Sequence, residues 1–349
     1  MRVIKLSISM AVGLGSLSEV VQVFEEVAFP RNAVLVAGPN TFKIAGSYVA
    51  DKLTSAGYNI DVKIIEGGAT AENANSLLEY VKRLGFSGII GVGGGSIIDL
   101  VKYVGANLGL RVVSIPTTLS SDAIATPFSV LWRDGKSQAI KTMAPNLIIG
   151  DYSILMNEPR RYVAAGFGDM IAKYTALYDW WLAYWLGDEP YLDFAAQIAN
   201  SVTELLINRV NNIAKQDYIG VETLFYAEVL DGYLMELANT TRVAAGSEHL
   251  IAFAIENLTG KGLHGEQVGI GTIISAYLQR RDWRLVKDLL SRVGAPTTID
   301  ELGITKEEMI KALQIAPQMR NWYTILGTKG LSEGRAERLL RYTGIIRSP

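Results

Sequence analysis

Cysteine is absent from this chain of 349 residues, and histidine occurs only twice. The missing cysteines exclude disulfide bonds, cysteine-ligated zinc and thiol catalysis. Charge is also scarce, because charged side chains form 19% of the residues and the formal net charge is −2. This balance excludes a strongly basic surface for nucleic acid and gives no sign of a charged tail.

Long apolar runs are missing as well. No sustained apolar run precedes Glu19, so the sequence predicts no signal peptide. The densest apolar stretch, residues 176–186, contains Asp179 and is far shorter than the ~20 residues that cross a membrane. We therefore expect a cytoplasmic protein without a membrane span.

Apolar side chains are plentiful: they form 49% of the residues, which is enough for two packed cores. Up to about residue 150, short β-type runs alternate with helical patterns, which predicts a Rossmann-like α/β domain with a parallel, doubly wound sheet. Helical patterns dominate from there on. We therefore predict an α/β domain at residues 1–150 and an all-α domain at residues 151–349.

The apolar periodicity also predicts the individual elements. The predicted strands are residues 33–37, 60–65, 89–92, 112–115 and 147–150, with a hairpin of residues 128–132 and 138–142 around Asp134 and Gly135. The predicted helices are residues 17–27, 42–56, 71–84, 97–108, 160–186, 192–207, 218–244, 249–258, 265–278, 283–293, 306–315 and 332–341.

A glycine-rich turn stands at the centre of the first domain, in residues 88–99 (GIIGVGGGSIID). The pattern predicts a strand, a tight turn and the start of a helix, whose free N–H groups can bind an anion. It matches neither G-x-G-x-x-G nor a Walker loop, and a purely structural turn is the alternative. The next strand runs into a polar loop at residues 116–122. In open α/β sheets ligands bind at such strand ends.

The two histidines are only fifteen residues apart, and both lie beside glycine near predicted helix starts. His249 and His264 can therefore converge on one point and bind a metal ion. Since there is no cysteine and no third histidine, a third ligand has to be a carboxylate. Asp169 is the best candidate, because it lies in an otherwise apolar helical stretch where an unpaired carboxylate is costly. Alternatively, Asp169 caps a helix after Gly168, and each histidine is an ordinary polar residue.

Several motifs resemble the iron-containing alcohol dehydrogenase and dehydroquinate synthase superfamily, and within it the sn-glycerol-1-phosphate dehydrogenases of archaea. The resemblance covers nearly the whole chain. It rests on the segments GGGSIID at 93–99, PTTLSSD at 116–122, ATP at 125–127, GFGD at 166–169, GSEH at 246–249 and HGEQVG at 264–269.

This resemblance implies a dehydroquinate synthase-like fold and a set of site residues. It implies a nicotinamide dinucleotide, NAD or NADP, bound by Gly94, Gly95, Ser96, Asp99, Thr117, Thr118, Ser120 and Thr126. It implies zinc, or alternatively iron, bound by Asp169, His249 and His264, in the helical metal- and substrate-binding domain. It also implies that Asp122 and Asp169 contact the substrate and are catalytic.

The reaction implied by the resemblance is the reversible reduction of dihydroxyacetone phosphate to sn-glycerol 1-phosphate, the backbone of archaeal ether lipids. We expect no nucleic acid partner. We expect the chain to form a homo-oligomer. The aromatic run at residues 178–185 is either core or an exposed patch for association, and its apolar character favours the core.

The chain also departs from the family pattern. Phe253 stands where similar proteins carry a substrate-associated histidine, four residues after His249. Lys173, Arg242 and Lys261 are then candidates for holding the phosphate. The segment 38–41 (GPNT) has no acid to repel a 2′-phosphate and Lys43 lies nearby, so we expect NADPH to be accepted.

Phe253 also keeps alternative functions open. One is a glycerol or alcohol dehydrogenase that acts on an unphosphorylated substrate, and another is a dehydroquinate synthase-like lyase. The third alternative is a dinucleotide-binding protein without enzymatic activity.

Overall fold

The computed structural model describes residues 9–133 and 135–346, which divide into two compact units. The first unit runs to Pro159 and includes Glu228–Glu236, and the second contains Arg160–Ala227 and the chain from Leu237 onwards. The predicted domains 1–150 and 151–349 stay a prediction.

The first unit contains a six-stranded parallel sheet in the strand order β1-β8-β5-β4-β2-β3 and a separate antiparallel pair, β6 and β7. The strands of the described residues are β1 Ser9–Gly13, β2 Asn32–Ala37, β3 Asn59–Ile64, β4 Gly88–Gly93, β5 Arg111–Pro116, β6 Phe128–Arg133, β7 Lys136–Lys141 and β8 Leu147–Asp151. Asp134, in the turn of the predicted hairpin, lies outside the described residues. The predicted parallel sheet and the hairpin strands are present.

Helices follow most of the parallel strands. They are α1 Val20–Glu26, α2 Pro39–Thr41, α3 Ser47–Ser55, α4 Ala71–Leu84, α5 Gly95–Leu108 and α6 Tyr152–Leu155, with 3-10 turns at Ser16–Glu19 and Asp122–Ile124. The predicted helix 42–56 is not one regular helix, because Phe42–Gly46 forms a π-helical segment before α3. The Phe42 ring packs over Gly46, where a Cβ would come within 2.8 Å of it.

Both faces of the sheet are covered, which explains why the central strands β2, β4 and β8 are apolar on both faces. Ala33 and Leu35 of β2 point into one buried cluster, and Val34 and Val36 of the same strand point into a second cluster on the opposite face. The amphipathic helix α4 packs into the second cluster. Alternate residues of β2 therefore pack into the cores on opposite faces of the sheet.

The second unit is helical, and its described residues contain no strand. Its helices are α7 Arg160–Met170, α8 Lys173–Gly187, α9 Asp193–Lys215, α10 Tyr218–Ala238 (whose residues Glu228–Glu236 group with the first unit), α11 Ser247–Thr259, α12 His264–Leu278, α13 Trp283–Val293, α14 Ile299–Leu302, α15 Lys306–Ile315 and α16 Glu333–Tyr342. The predicted fold class, a parallel α/β sheet followed by a helical region, is therefore confirmed.

Two predicted helices are too long. The helix predicted at 160–186 is interrupted after Met170, and α8 begins only at Lys173. The helix predicted at 218–244 ends at Ala238, because Asn239 adopts a left-handed conformation with φ 56°.

The aromatic run of α8 is only partly core. Trp180 is 1% exposed, whereas Trp181, Tyr184 and Trp185 are 46%, 46% and 63% exposed. The prediction that this run is core is wrong for these three side chains, which form an exposed aromatic face. No helix in the described part of the chain has the length and apolarity of a membrane span.

Candidate metal and dinucleotide sites

Asp169, His249 and His264 come together in the second unit. Their ligand atoms all lie within 4.8 Å of one another. Nε2 of His249 is 3.3 Å from Oδ1 of Asp169, and Nε2 of His264 is 3.9 Å from the same oxygen. Two imidazole nitrogens and one carboxylate oxygen at such spacing form a donor set that suits a divalent metal ion with a further open position.

Glycines at a helix crossing place Asp169 beside His264. A Cβ at Gly168 would overlap the carbonyl oxygen of Gly265, and a Cβ at Gly265 would overlap the carbonyl oxygen of Ala165. Only glycine allows α7 and α12 to approach this closely. This crossing brings the two candidate ligands close together, because Asp169 is the neighbour of Gly168 and His264 is the neighbour of Gly265.

A second glycine contact brings in His249. A Cβ at Gly271 of α12 would lie 2.5 Å from the carbonyl oxygen of Glu248 and 3.0 Å from its Cα. Helix α11 therefore packs its first turn tightly against α12. His249 lies in that turn, so close packing of backbone on backbone fixes its position relative to His264.

Glu248 orients the His249 ring through the nitrogen that does not face Asp169. Its Oε1 is 3.0 Å from Nδ1 of His249 and accepts a hydrogen bond from the Gly246 N–H, and its Oε2 accepts a 2.7 Å hydrogen bond from the Thr175 hydroxyl. The carboxylate is fully buried. Such a contact to Nδ1 leaves Nε2 of the imidazole directed at the metal position. No local sequence pattern predicts this role of Glu248, although the residue lies in the GSEH segment at 246–249.

The three groups influence one another strongly. Burial disfavours a charged ring, but the hydrogen bonds to Asp169 and Glu248 outweigh it and raise the pKa of His249 to about 10. Burial likewise opposes ionisation of Asp169, yet the hydrogen bond from His249 and the charge of His264 hold the pKa of this carboxyl below its usual range. Burial lowers the pKa of His264. The site therefore pairs an ionised carboxylate with a protonated His249 ring, whose proton a bound metal ion has to displace.

Phe253 lies next to both histidines. Its ring centroid is 5.8 Å from that of His264 in a stacked arrangement, and 6.0 Å from that of His249. The position of the family's further histidine is thus beside the metal-ligand candidates, but it holds an apolar ring here.

The three cations predicted to hold a phosphate have other environments. Arg242 is fully buried and donates hydrogen bonds to Glu189 and to three backbone carbonyls. Lys173 is buried, with Nζ 3.5 Å from the Met170 sulfur. Lys261 is half-exposed and lies 3.7 Å from Glu308. Arg242 serves to pack the helices of this unit together.

In the first unit, the glycine turn joins β4 to α5 as predicted. Gly94 precedes the helix, and no side chain caps its first turn. A Cβ at Gly94 would lie 2.9 Å from the Thr118 hydroxyl, and a Cβ at Gly95 would lie 3.1 Å from Ala123. The turn therefore packs against the loop after β5, and its uncapped N–H groups remain a cradle for a phosphate.

The strand order reverses at this turn. From β2 the chain proceeds to β3 on one side and returns to β4 on the other, so the carboxyl ends of β2 and β4 form a topological switch point. The Thr41 hydroxyl links these ends, because it donates a 2.8 Å hydrogen bond to the Val92 carbonyl and accepts one from the Gly38 N–H. The switch point is where open α/β sheets bind nucleotides.

The polar loop after β5 is fixed from two sides. The Thr117 N–H donates to the Gly93 carbonyl at 3.1 Å, which extends the sheet pairing by one residue. The Leu119 N–H donates to both carboxyl oxygens of Glu158. Burial raises the pKa of Glu158 to about 8. Sequence reasoning missed Glu158, because no local pattern reveals a contact over 39 residues.

The other predicted dinucleotide contacts differ in their surroundings. Thr117 is buried, and its hydroxyl has no hydrogen-bond partner among the described residues. The Thr126 hydroxyl is hydrogen-bonded within its own turn to the backbone of Phe128. Asp122 opens the 3-10 turn, where its carbonyl accepts from Ala125 and Thr126. Ser96 is exposed at the start of α5, and Thr118 and Ser120 lie part-buried in the loop after β5.

The Asp99 carboxylate is directed at Lys102 and not at the start of α5, where a phosphate would bind. It is buried and pairs with Lys102 at 2.9 Å, while Lys102 also donates to the carbonyls of Thr126 and Phe128. Burial raises the pKa of Asp99. The pair ties α5 to β6, and contact of Asp99 with a dinucleotide stays a prediction.

Comparison with known proteins places the chain among dehydrogenases. A family model described as iron-containing alcohol dehydrogenase matches residues 11–159. Glycerol-1-phosphate dehydrogenase (NAD(P)+) of Hyperthermus butylicus is 40% identical over 347 residues, which are 98% of this chain and 99% of that protein. The protein of the same name from Aeropyrum pernix is 41% identical over 315 residues, 90% of this chain and 89% of its own length.

Solved structures agree on the fold. The crystal structure of a probable glycerol dehydrogenase from Sinorhizobium meliloti superposes with a TM-score of 0.80 at 18% identity, covering 98% of each chain. At this identity the likeness concerns the fold alone. Its combination of a parallel sheet and a helical region is the architecture described above.

Proposed function

We propose, from the premise that the chain belongs to the glycerol-1-phosphate dehydrogenase family, that it reduces dihydroxyacetone phosphate reversibly to sn-glycerol 1-phosphate with NADH or NADPH. The observation that carries the proposal is the convergence of Asp169, His249 and His264. A ketone reduction needs a group that polarises the carbonyl, and these three residues are arranged to hold one.

The three side chains would hold zinc, and the same donors also suit iron. A divalent ion there supplies Lewis-acid polarisation of the substrate carbonyl, worth several kcal/mol of barrier. Asp169 contributes the anionic ligand, and the two imidazoles contribute neutral nitrogen. Glu248 keeps Nε2 of His249 directed at the ion and prevents rotation of the ring.

The glycine turn would hold the dinucleotide, which supplies the hydride. The N–H groups of Gly95 and Ser96 at the start of α5 would bind the pyrophosphate, and Gly94 would let it approach the backbone. Thr117, Thr118 and Ser120 would line the nicotinamide side, with Thr126 as a further contact. For Asp122 we propose the substrate contact that the resemblance implies.

We further propose that NADPH is accepted. Asn40 and the exposed Lys43 follow β2 at the switch point, and the segment 38–41 contains no acid. A carboxylate there would repel a 2′-phosphate, whereas a lysine attracts it. The Michaelis constants for NADPH and NADH measured side by side test this, and we expect them within a hundredfold of each other. A value for NADPH more than a hundredfold higher contradicts the proposal.

The product would serve as the backbone of ether lipids, which makes the enzyme part of phospholipid synthesis. A homo-oligomer is part of the proposal too, with the aromatic face of α8 as the contact between copies. Trp and Tyr are enriched at protein interfaces, and the rings of Trp181, Tyr184 and Trp185 are 46%, 46% and 63% exposed. The cytoplasmic location stays a prediction.

The direct test compares dihydroxyacetone phosphate with dihydroxyacetone as substrates of the zinc-loaded protein, following NADPH oxidation. Turnover that requires the phosphate supports the proposal. Equal or better turnover of the unphosphorylated ketone would instead assign the chain to an alcohol dehydrogenase role, which Phe253 in place of a histidine would favour. No turnover of either ketone would leave the lyase or a non-enzymatic dinucleotide-binding function.

A further inference from the structure

A phosphorylated substrate at the metal-ligand candidates needs a positive group nearby. A phosphate dianion is costly to desolvate unless cations or several N–H groups pair with it. The ring of Phe253 offers neither. Arg242 is saturated by protein acceptors, and Lys261 already lies beside Glu308 at the surface. Lys173 is fully buried and its charge already acts on Asp169, so Arg320 is considered as a further cation near the site.

Arg320 occupies the place where such a cation is needed. Its guanidinium carbon lies 4.4 Å from the centroid of the Phe253 ring. That same ring stacks on His264 and contacts His249. Arg320 is thus one aromatic ring away from both imidazoles of the metal-ligand candidates.

The guanidinium of Arg320 also has hydrogen-bonding capacity left. Its Nη1 donates a 2.8 Å hydrogen bond to the Met319 carbonyl. Within residues 9–133 and 135–346, no carboxylate lies within 4.0 Å of it, and its other N–H groups have no protein acceptor. A guanidinium carries five N–H donors in a planar fork that matches phosphate oxygens. The charge of Glu256 acts on both Arg320 and His264.

The segment that carries Arg320 is held in place by buried groups. The Tyr323 carbonyl accepts a 2.8 Å hydrogen bond from the buried Arg242, and the Ile325 N–H donates a 2.8 Å hydrogen bond to the buried Asp179. Arg242 also lies over the ring of Trp322. A preorganised cation costs less entropy on binding than a mobile lysine does.

We propose that Arg320, supported by the ring of Phe253, binds the phosphate group of the substrate and makes the site specific for a phosphorylated ketone. The inference rests on the proposed function and deepens it. Phe253 then has a positive role, because its face holds the guanidinium in position through a cation–π contact. The Phe253 ring, which stands where similar proteins have a histidine, thus supports the Arg320 guanidinium.

The test is the substrate preference of Arg320→Gln and Arg320→Lys, with Arg284→Gln as the matched control. Arg284 also lies over an aromatic ring, Trp283 at 4.6 Å, but on the exposed surface of α13. We expect Arg320→Gln to lower kcat/KM for dihydroxyacetone phosphate on the order of tenfold or more, the effect of a lost charge-assisted hydrogen bond. The value for dihydroxyacetone and the KM for NADPH should change less than about threefold.

Arg320→Lys, which keeps the charge, should retain part of the preference, and Arg284→Gln all of it. An unchanged ratio of the two kcat/KM values in Arg320→Gln overturns the inference while leaving the proposed function intact. A wild-type protein that fails to turn over dihydroxyacetone phosphate contradicts the proposed function instead.

A second readout does not depend on turnover. With NADP+ saturating, inorganic phosphate at millimolar concentration should raise the melting temperature of the wild-type protein and of Arg284→Gln by mass action. Arg320→Gln should lose most of that shift. The same shift in all three proteins would place the phosphate elsewhere and overturn the inference.

Discussion

At the scale of single residues, Glu158 shows how one buried side chain fixes a binding loop. Its two carboxyl oxygens accept the N–H of Leu119, in the middle of the loop that carries Thr117, Thr118 and Ser120. Burial raises its pKa to about 8. The folded protein therefore keeps this carboxyl protonated at a pH where the unfolded chain has already lost the proton.

The raised pKa predicts how stability depends on pH. Between the ordinary glutamate pKa and about 8, the folded state binds one proton more than the unfolded state, so stability falls as pH rises through this window. Glu158→Gln keeps an acceptor for the Leu119 N–H but removes the titration. Between pH 5 and pH 8 we expect wild-type protein to lose a few kcal/mol more unfolding free energy than the variant. Urea titrations at the two pH values measure this, and parallel losses would refute the prediction.

At the scale of elements, the sequence specified most helices but not their crossings. The predictions for residues 71–84, 283–293 and 306–315 agree with α4, α13 and α15 to the residue, because caps and amphipathic periodicity are local. The helix predicted at 160–186 failed at its break after Met170, since nothing in that apolar run marks an end. Apolar residues on every face remove the periodic signal.

The same limit applies to the site. Asp169, His249 and His264 could be predicted because rare residue types beside glycines stand out in the sequence. Glu158, Glu248 and Arg320 could not, because their partners are distant in sequence or depend on which face of a helix is turned inward. Asp99 lies in a quoted motif, yet its ion pair with Lys102 became visible only once α5 was packed on β6.

The crossing of α7 and α12 gives a prediction at this scale. Gly265→Ala places a Cβ on the Ala165 carbonyl, so the helices have to move apart. We expect a loss of roughly 1–3 kcal/mol in unfolding free energy, together with weaker zinc binding, since Asp169 and His264 adjoin the crossing. Gly334→Ala in α16 is the control, because a Cβ there meets nothing within 4 Å. It should be neutral or stabilise by up to ~1 kcal/mol. Equal effects of the two substitutions would contradict the account.

At the scale of the whole molecule, the exposed aromatic face of α8 suggests association with further copies. Trp185 is 63% exposed and contacts the rings of Trp181 and Tyr184. Phe194 at the start of α9 is 64% exposed as well. Surface aromatics on this scale favour burial against a partner.

Light scattering at micromolar concentration tests the association. We expect a mass of at least twice 38.0 kDa for the wild-type protein and a shift towards the monomer for the double variant Trp181→Ala with Trp185→Ala. Tyr342→Ala is the matched control, since that ring is 60% exposed on α16. A monomeric wild-type protein would contradict the predicted homo-oligomer, and an unchanged mass in the double variant would place the contact elsewhere.

The central claim is that Asp169, His249 and His264 hold the metal ion on which ketone reduction depends. The most direct measurement is the rate of NADPH oxidation with dihydroxyacetone phosphate as zinc is returned to chelator-treated protein. For wild-type protein we predict a rise from near zero to a plateau at about one zinc per chain. Asp169→Ala and His264→Ala should remain slower by orders of magnitude while still binding NADPH. Full activity in the stripped protein, or in either variant, would contradict the account.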